Sequence, residues 1–146
     1  MKNIHMGKKS KVKSQKSKFV FAIGRRKTAT AKVRLFSGKG EILVNGKPIG
    51  DYFSGEVAKI AYLKPFQATD TLGKYYATIK TEGSGKEGQL EAVIHGLARA
   101  LDKENSKLYH SVLKKSKLLT RDPRAKERRK VGLAGKARKK KQSPKR

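Results

Sequence analysis

A chain of 146 residues has the length of one domain, and 38 Lys+Arg against 11 Asp+Glu give it a formal net charge of +27. So much like charge repels itself in a compact body and calls for a polyanion. Nucleic acid is favoured over an anionic membrane surface, because neither basic end shows an amphipathic helix with an aromatic or leucine face. With no cysteine, disulfides, thiol nucleophiles and thiolate metal sites are excluded, and no run of about 18 apolar residues could span a membrane.

The charge is unevenly spread. Residues 1–18 hold seven Lys and no acid (+7), residues 19–120 hold 18 basic and 9 acidic residues (+9), and residues 121–146 hold 13 basic and 2 acidic residues (+11). The two ends are nearly free of apolar residues and cannot bury enough surface to offset chain entropy. The expected organisation is therefore a basic extension over 1–18, a globular domain over 19–120 and a basic tail over 121–146. The Lys-rich start also lacks the apolar segment of a secretory signal.

Within the middle, Phe19 to Ile23 is a short apolar run that reads as a buried strand, and Ala29 to Phe36 alternates as a half-buried one. Gly38-Lys39-Gly40 turns the chain into a third strand, Glu41 to Val44. Asn45-Gly46 is a strong tight-turn signal, and Pro48 and Gly50 break the pattern after it. Asp51 can cap a helical turn through Tyr52 and Phe53. Glu56 to Leu63 reads as a helix stopped before Pro65. Tyr75 to Glu82 alternates as a strand. Leu90, Ile94, Leu97 and Leu101 fall at i, i+4, i+7 and i+11, which predicts a helix over Gly85 to Lys103. Ser106 can cap a last helix with Tyr109, Val112 and Leu113 on one face. The expected class is α+β, one mainly antiparallel sheet with helices on a face.

Gly83-Ser84-Gly85-Lys86-Glu87-Gly88 matches the dinucleotide fingerprint, but no second parallel strand with a ribose-binding acid follows its helix. The motif reads as a strand-to-helix turn, or as exposed amides that grip an RNA phosphate with help from Lys86. No Gly-Lys pair continues into a phosphate-binding loop. His5, His95 and His110 have no metal-ligand or relay spacing, and His95 reads as a packed helix residue with a hydrogen-bond partner. Gly24-Arg25-Arg26-Lys27-Thr28 lies between two predicted strands, and two guanidiniums there suit bidentate phosphate contact. Asp122-Pro123 ends the domain with a turn. Beyond it lie the cation clusters Arg128-Arg129-Lys130 and Arg138-Lys139-Lys140-Lys141, on a tail whose 25 residues span at most about 80–90 Å when extended.

Gly24 to Lys27, Gly83 to Gln89 leading into His95-Gly96-Leu97-Ala98-Arg99-Ala100-Leu101, Leu119 to Asp122, and a basic tail ending in Lys145-Arg146 occur in that order. In this the chain closely resembles the family of protein nine of the small ribosomal subunit, in its bacterial or organellar form, over about Phe21 to Arg146. The resemblance implies an α+β fold of the ribosomal-protein-five domain-two type, with binding to rRNA in the head of the subunit beside neighbouring head proteins. It further implies a tail directed at the tRNA in the peptidyl site, a contact that falls on Lys145 and Arg146. Arg25, Arg26, Lys27, Lys86, Arg121, Arg124, Arg128, Arg129, Lys130, Arg138, Lys139 and Lys140 are the expected rRNA ligands. No catalytic residue, metal or cofactor is expected, and the place is the ribosome, cytoplasmic or in an organellar matrix or stroma. The chain departs from the family pattern at Ser143-Pro144, where Phe-Ser is usual, at Ser84, where Gly is common, and in its longer Lys-rich start. The rival reading is a general nucleic-acid compaction protein. An enzyme on a related kinase-like fold would need a phosphate loop and a carboxylate–metal pair, and the sequence offers neither.

Overall fold

The computed structural model describes residues 18–139, so Lys140, Lys145, Arg146 and most of the expected N-terminal extension lie outside the described residues. Five strands form one sheet in the order β1-β2-β5-β3-β4, where β1 is Phe19–Arg26, β2 Ala29–Ser37, β3 Leu43–Val44, β4 Lys47–Pro48 and β5 Tyr75–Glu82. The helices are α1 (Ile49–Tyr52), α2 (Glu56–Ala68), α3 (Lys86–Glu104) and α4 (Ser106–Lys115). This is the expected α+β class.

The long strands pair antiparallel through the register Ala22↔Val33↔Ile79, and alternation puts Ala22, Val33, Leu35, Ala77 and Ile79 on the covered face. β3 joins β5 in parallel, and its hairpin to β4 turns at Asn45-Gly46 with φ of 50° and 81°. Both central residues of such a turn need positive φ, which is why Asn-Gly is found there. The Asn45 amide also extends the ladder: its Oδ1 accepts from Thr81 N at 2.9 Å and its Nδ2 donates to Thr81 O at 3.1 Å.

α3 lies across β1 and β2 with Ala92, Val93, Leu97, Ala100 and Leu101 buried. It follows the predicted stripe, displaced by one residue at each end. The approach to β1 is unusually close. A Cβ on Gly24 would lie 1.9 Å from the Ala92 carbonyl oxygen and 2.3 Å from the Gly96 nitrogen, and one on Gly96 would lie 2.7 Å from Val33 Cγ2. Only glycine on both sides lets the backbones meet.

Five local expectations change. β1 is buried on one face only, and Phe19 and Phe21 stay 47% and 41% exposed. β1 also runs on to Arg26, so the expected cationic loop shrinks to a turn at Lys27-Thr28, with Lys27 at φ 51°. α2 continues through Pro65 to Ala68, because Tyr62, Pro65 and Phe66 form one buried stripe whose burial outweighs the lost backbone bond. Asn45-Gly46 is followed by a short strand at Lys47–Pro48 where a broken pattern was expected, and the helical turn expected to be capped by Asp51 starts earlier, at Ile49, with Asp51 inside it. At α4 the cap is Asn105, whose Oδ1 accepts from Leu108 N at 3.3 Å, and Val112 faces outward while Leu113 is buried.

Gly24→Ala is expected to destabilise the fold by about 3 kcal/mol or more, since backbone rather than a flexible side chain must move. Urea unfolding of the full chain checks this, and a loss below about 1 kcal/mol would show that β1 and α3 can separate cheaply.

Candidate nucleic-acid interface

The candidate surface is built on the outer edge of β1, where the sheet ends and α3 overhangs it. Two successive turns of α3 project cations onto this edge. Arg99 Nη1 donates to the Ile23 carbonyl at 2.6 Å, and Lys103 Nζ donates to the Phe21 carbonyl at 3.0 Å. The two residues occupy i and i+4 of one helical face, matching carbonyls two residues apart on the strand. They blunt the edge strand and leave their remaining donors turned outward.

Arg25 from β1 and Arg121 from the segment after α4 complete a cleft of about 350 Å³ with Arg99 and Lys103. Four cations line it and no acid does. Arg99 entered the sequence reading only within the His95 to Leu101 block and Lys103 only as a helix end, and neither was expected as a ligand, because each is a single cation on a helix. The i, i+4 spacing was the available signal, and it points at a partner only once the strand beneath is known.

Arg26 has a different place from the one expected of it. Its residue is 8% exposed, and its guanidinium is spent inside the protein. Nε binds Glu91 Oε2, Nη1 donates to the Arg124 carbonyl, and Nη2 sits 3.3 Å from Asp122 Oδ2. It ties the start of the tail to α3 and is not an open phosphate ligand. Asp122 is also held by Arg124, whose Nε and Nη2 donate to its two oxygens at 3.0 and 2.6 Å. The Arg124 bonds first, then the Arg26 charge, keep the Asp122 carboxyl well below the usual carboxylate range.

His95 makes a second tie at the same place. Its Nδ1 accepts from the Arg25 backbone N–H at 3.3 Å, and its Nε2 lies 3.3 Å from the Leu119 carbonyl. With Nδ1 accepting, Nε2 carries the proton and donates, so the neutral ring joins β1 to the tail root. Burial, foremost, lowers its pKa, with Arg99 and Arg121 adding repulsion.

The other expected ligands divide. Lys27, Arg128, Arg129, Lys130 and Lys139 are exposed cations. Arg138 binds Glu127 across a turn of the tail, with Nε 2.9 Å from Oε2. That turn is closed by Lys130 N–H donating to the Lys136 carbonyl at 3.1 Å. Lys86 turns back onto the domain: its ammonium lies 3.3 Å from the centre of the Tyr52 ring and 3.2 Å from the Tyr52 carbonyl oxygen. The glycine-rich turn before it serves packing, since a Cβ on Gly83 would lie 2.4 Å from the Thr28 carbonyl oxygen. Among the described residues no group of His and acidic side chains could hold a metal ion, and no helix is long and apolar enough to cross a membrane.

Residues 24–146 match the family described as ribosomal protein S9/S16. The small ribosomal subunit protein uS9 of Dehalococcoides mccartyi is 49% identical over 119 residues, covering 82% of this chain and 89% of that protein. The protein of the same name from Maridesulfovibrio salexigens is 47% identical over 117 residues, covering 80% and 89%.

Two outcomes follow from the ties at the tail root. Arg26→Leu should speed amide exchange at residues 119–124 while β2 and β5 stay protected, and unchanged exchange there would remove Arg26 as the anchor. For His95, a lowered folded pKa means that the neutral ring stabilises the fold above the ordinary histidine value of about 6.5, and that this is lost as pH falls through the folded pKa. Urea midpoints measured between pH 7.5 and 5 should fall more for the parent chain than for His95→Gln. Parallel curves would show that the ring does not couple protonation to folding.

Proposed function

The chain belongs to the ribosomal protein S9/S16 family, and from that membership we propose that it binds rRNA in the head of the small subunit and reaches the peptidyl-site tRNA with Lys145 and Arg146. It is a structural protein of the small ribosomal subunit and not an enzyme.

The observation that carries the rRNA reading is the acid-free cleft of Arg25, Arg99, Lys103 and Arg121, which opens beside the root of a tail of net charge +11. Cations that neutralise phosphates release condensed counterions, and this release supplies most of the affinity. Phosphate contacts also set orientation without reading sequence. The domain holds the cleft rigid, and Arg128, Arg129, Lys130, Lys139 and Lys140 extend the contact along the RNA. Lys27, at the tip of the β1–β2 turn, adds a further outward cation. Neighbouring head proteins would share this RNA framework.

The tRNA contact rests on the tail. Arg26 and His95 fix where it leaves the domain, and about 25 residues then reach far enough to bring Lys145 and Arg146 to a second RNA. The cations there meet a phosphate or the ribose edge of an anticodon loop as point charges and forks.

A fractionation and a filter assay test the two levels. Tagged chain is run on sucrose gradients at low and then high salt. It should sediment with the small subunit and resist the wash, whereas release or spread with chromosomal DNA would favour general compaction. Removing Lys145 and Arg146 should leave that sedimentation intact and lower tRNA retention at the peptidyl site in a filter assay. Unchanged retention would remove the tRNA role and leave the rRNA one standing.

A further inference from the structure

The helices cover one face of the sheet, and among the described residues the other face is open over β1, β2 and β5. The register places its outward side chains in rows. Phe19, Phe36 and Tyr76 form one row, then Phe21, Arg34 and Thr78, then Ile23, Lys32 and Lys80. The first row is a stack: Phe36 and Tyr76 lie parallel at 5.0 Å, and Phe19 is tilted on Phe36 at 5.6 Å. The Gly38–Gly40 turn lies against the far side of Tyr76, so the stack is closed at that end and open at Phe19. Arg34 lies 5.6 Å from the centre of the Phe19 ring. Beyond this row runs a groove of about 740 Å³, floored by Lys32, Arg34, Thr78 and Lys80 and bounded by Phe21 and the Asn45-Gly46 turn.

We infer that this open face is a second RNA-binding surface, one that takes unpaired bases against Phe19 and Phe21 while Lys32, Arg34 and Lys80 hold the phosphates. Exposed rings beside cations suit a chain that offers both a flat apolar face and a negative backbone. Unpaired nucleotides offer both, whereas a duplex keeps its base faces stacked inside. The one acid on these three strands' open side, Glu82, is held by Lys32 at 3.2 Å and leaves the face positive. Phe21 also lines the β1-edge cleft, so one strand of RNA can pass from the cleft onto the sheet without a break. The inference rests on the rRNA reading for the identity of the RNA, while the chemistry of the face is independent of it.

Two measurements on the full chain test the inference. Ultraviolet irradiation of salt-washed small subunits, followed by peptide mass spectrometry, should find nucleotide adducts at Phe19 or Phe21. Phe19→Leu, outside the cleft, should remove the Phe19 adduct and leave the chain in the subunit. Absence of adducts from this strand overturns the inference. So does amine cross-linking of Lys32 and Lys80 to another subunit protein in place of RNA, which would make the face a protein contact. Separately, binding of the purified chain to a single-stranded oligoribonucleotide should weaken about ten-fold in Phe19→Leu with the salt slope unchanged, because stacking releases no counterions. Equal affinity of the two chains overturns the inference. If the chain is missing from washed subunits yet shows this ten-fold loss, the ribosomal placement fails and the face stands.

Discussion

The backbone contact between Gly24 of β1 and Gly96 of α3 sets the position of almost everything on the functional side of the molecule. With no side chain between them, the helix backbone rests directly on β1 while it also crosses β2. From that position Arg99 and Lys103 reach strand carbonyls, Glu91 meets Arg26, and the His95 ring spans from the Arg25 amide to the Leu119 carbonyl. A helix displaced outward by the bulk of a methyl group would strain these contacts, and those of the His95 ring most, because the ring has no chain slack to follow. The edge of the sheet is thus shaped by packing first and charged second.

Charge then decides what the shape is for. The domain carries +9 over 102 residues, which a folded body can tolerate, while the tail carries +11 over 26. Arg26 joins the two regimes. It takes three partners from α3 and the tail root, and two of the three are acids from a chain that has few. Spending acids there neutralises the junction and leaves the cleft above it unopposed. Glu127 does the same for Arg138 farther along, where the pair and the Lys130–Lys136 backbone bond close a turn.

Much of this was legible in the sequence. Alternation in Ala29 to Phe36 and Tyr75 to Glu82, the Asn45-Gly46 turn and the four-leucine-type stripe of α3 are local signals, and they place β2, β5, the hairpin and the long helix. The parallel pairing of β3 with β5 is a long-range choice with no local trace. Pro65 misled because the rule for helix ends considers the backbone alone, while Tyr62, Pro65 and Phe66 share a buried face. Arg26 could not be told from Arg25 in a run of three cations. Strand alternation separates them, sending Arg25 out and Arg26 in, but only once the strand is known to extend that far. The same alternation divides Phe19 and Phe21 from Ala22, and an apolar run concealed it.

The two surfaces meet at β1, and their chemistry differs in a way that divides the labour. On the proposed reading, cations in the cleft and tail act at a distance and through salt, so they would bring RNA in quickly and hold it without regard to sequence. Rings on a sheet act only at contact and need bases free of partners. A surface of the first kind alone would slide along any polyanion, and one of the second kind alone would capture slowly. Joined by a single strand whose carbonyls are pinned by α3, they impose a fixed spacing between a phosphate path and a base platform. Fixed spacing of that kind fits a protein that occupies one place in a folded RNA better than one that compacts nucleic acid in general.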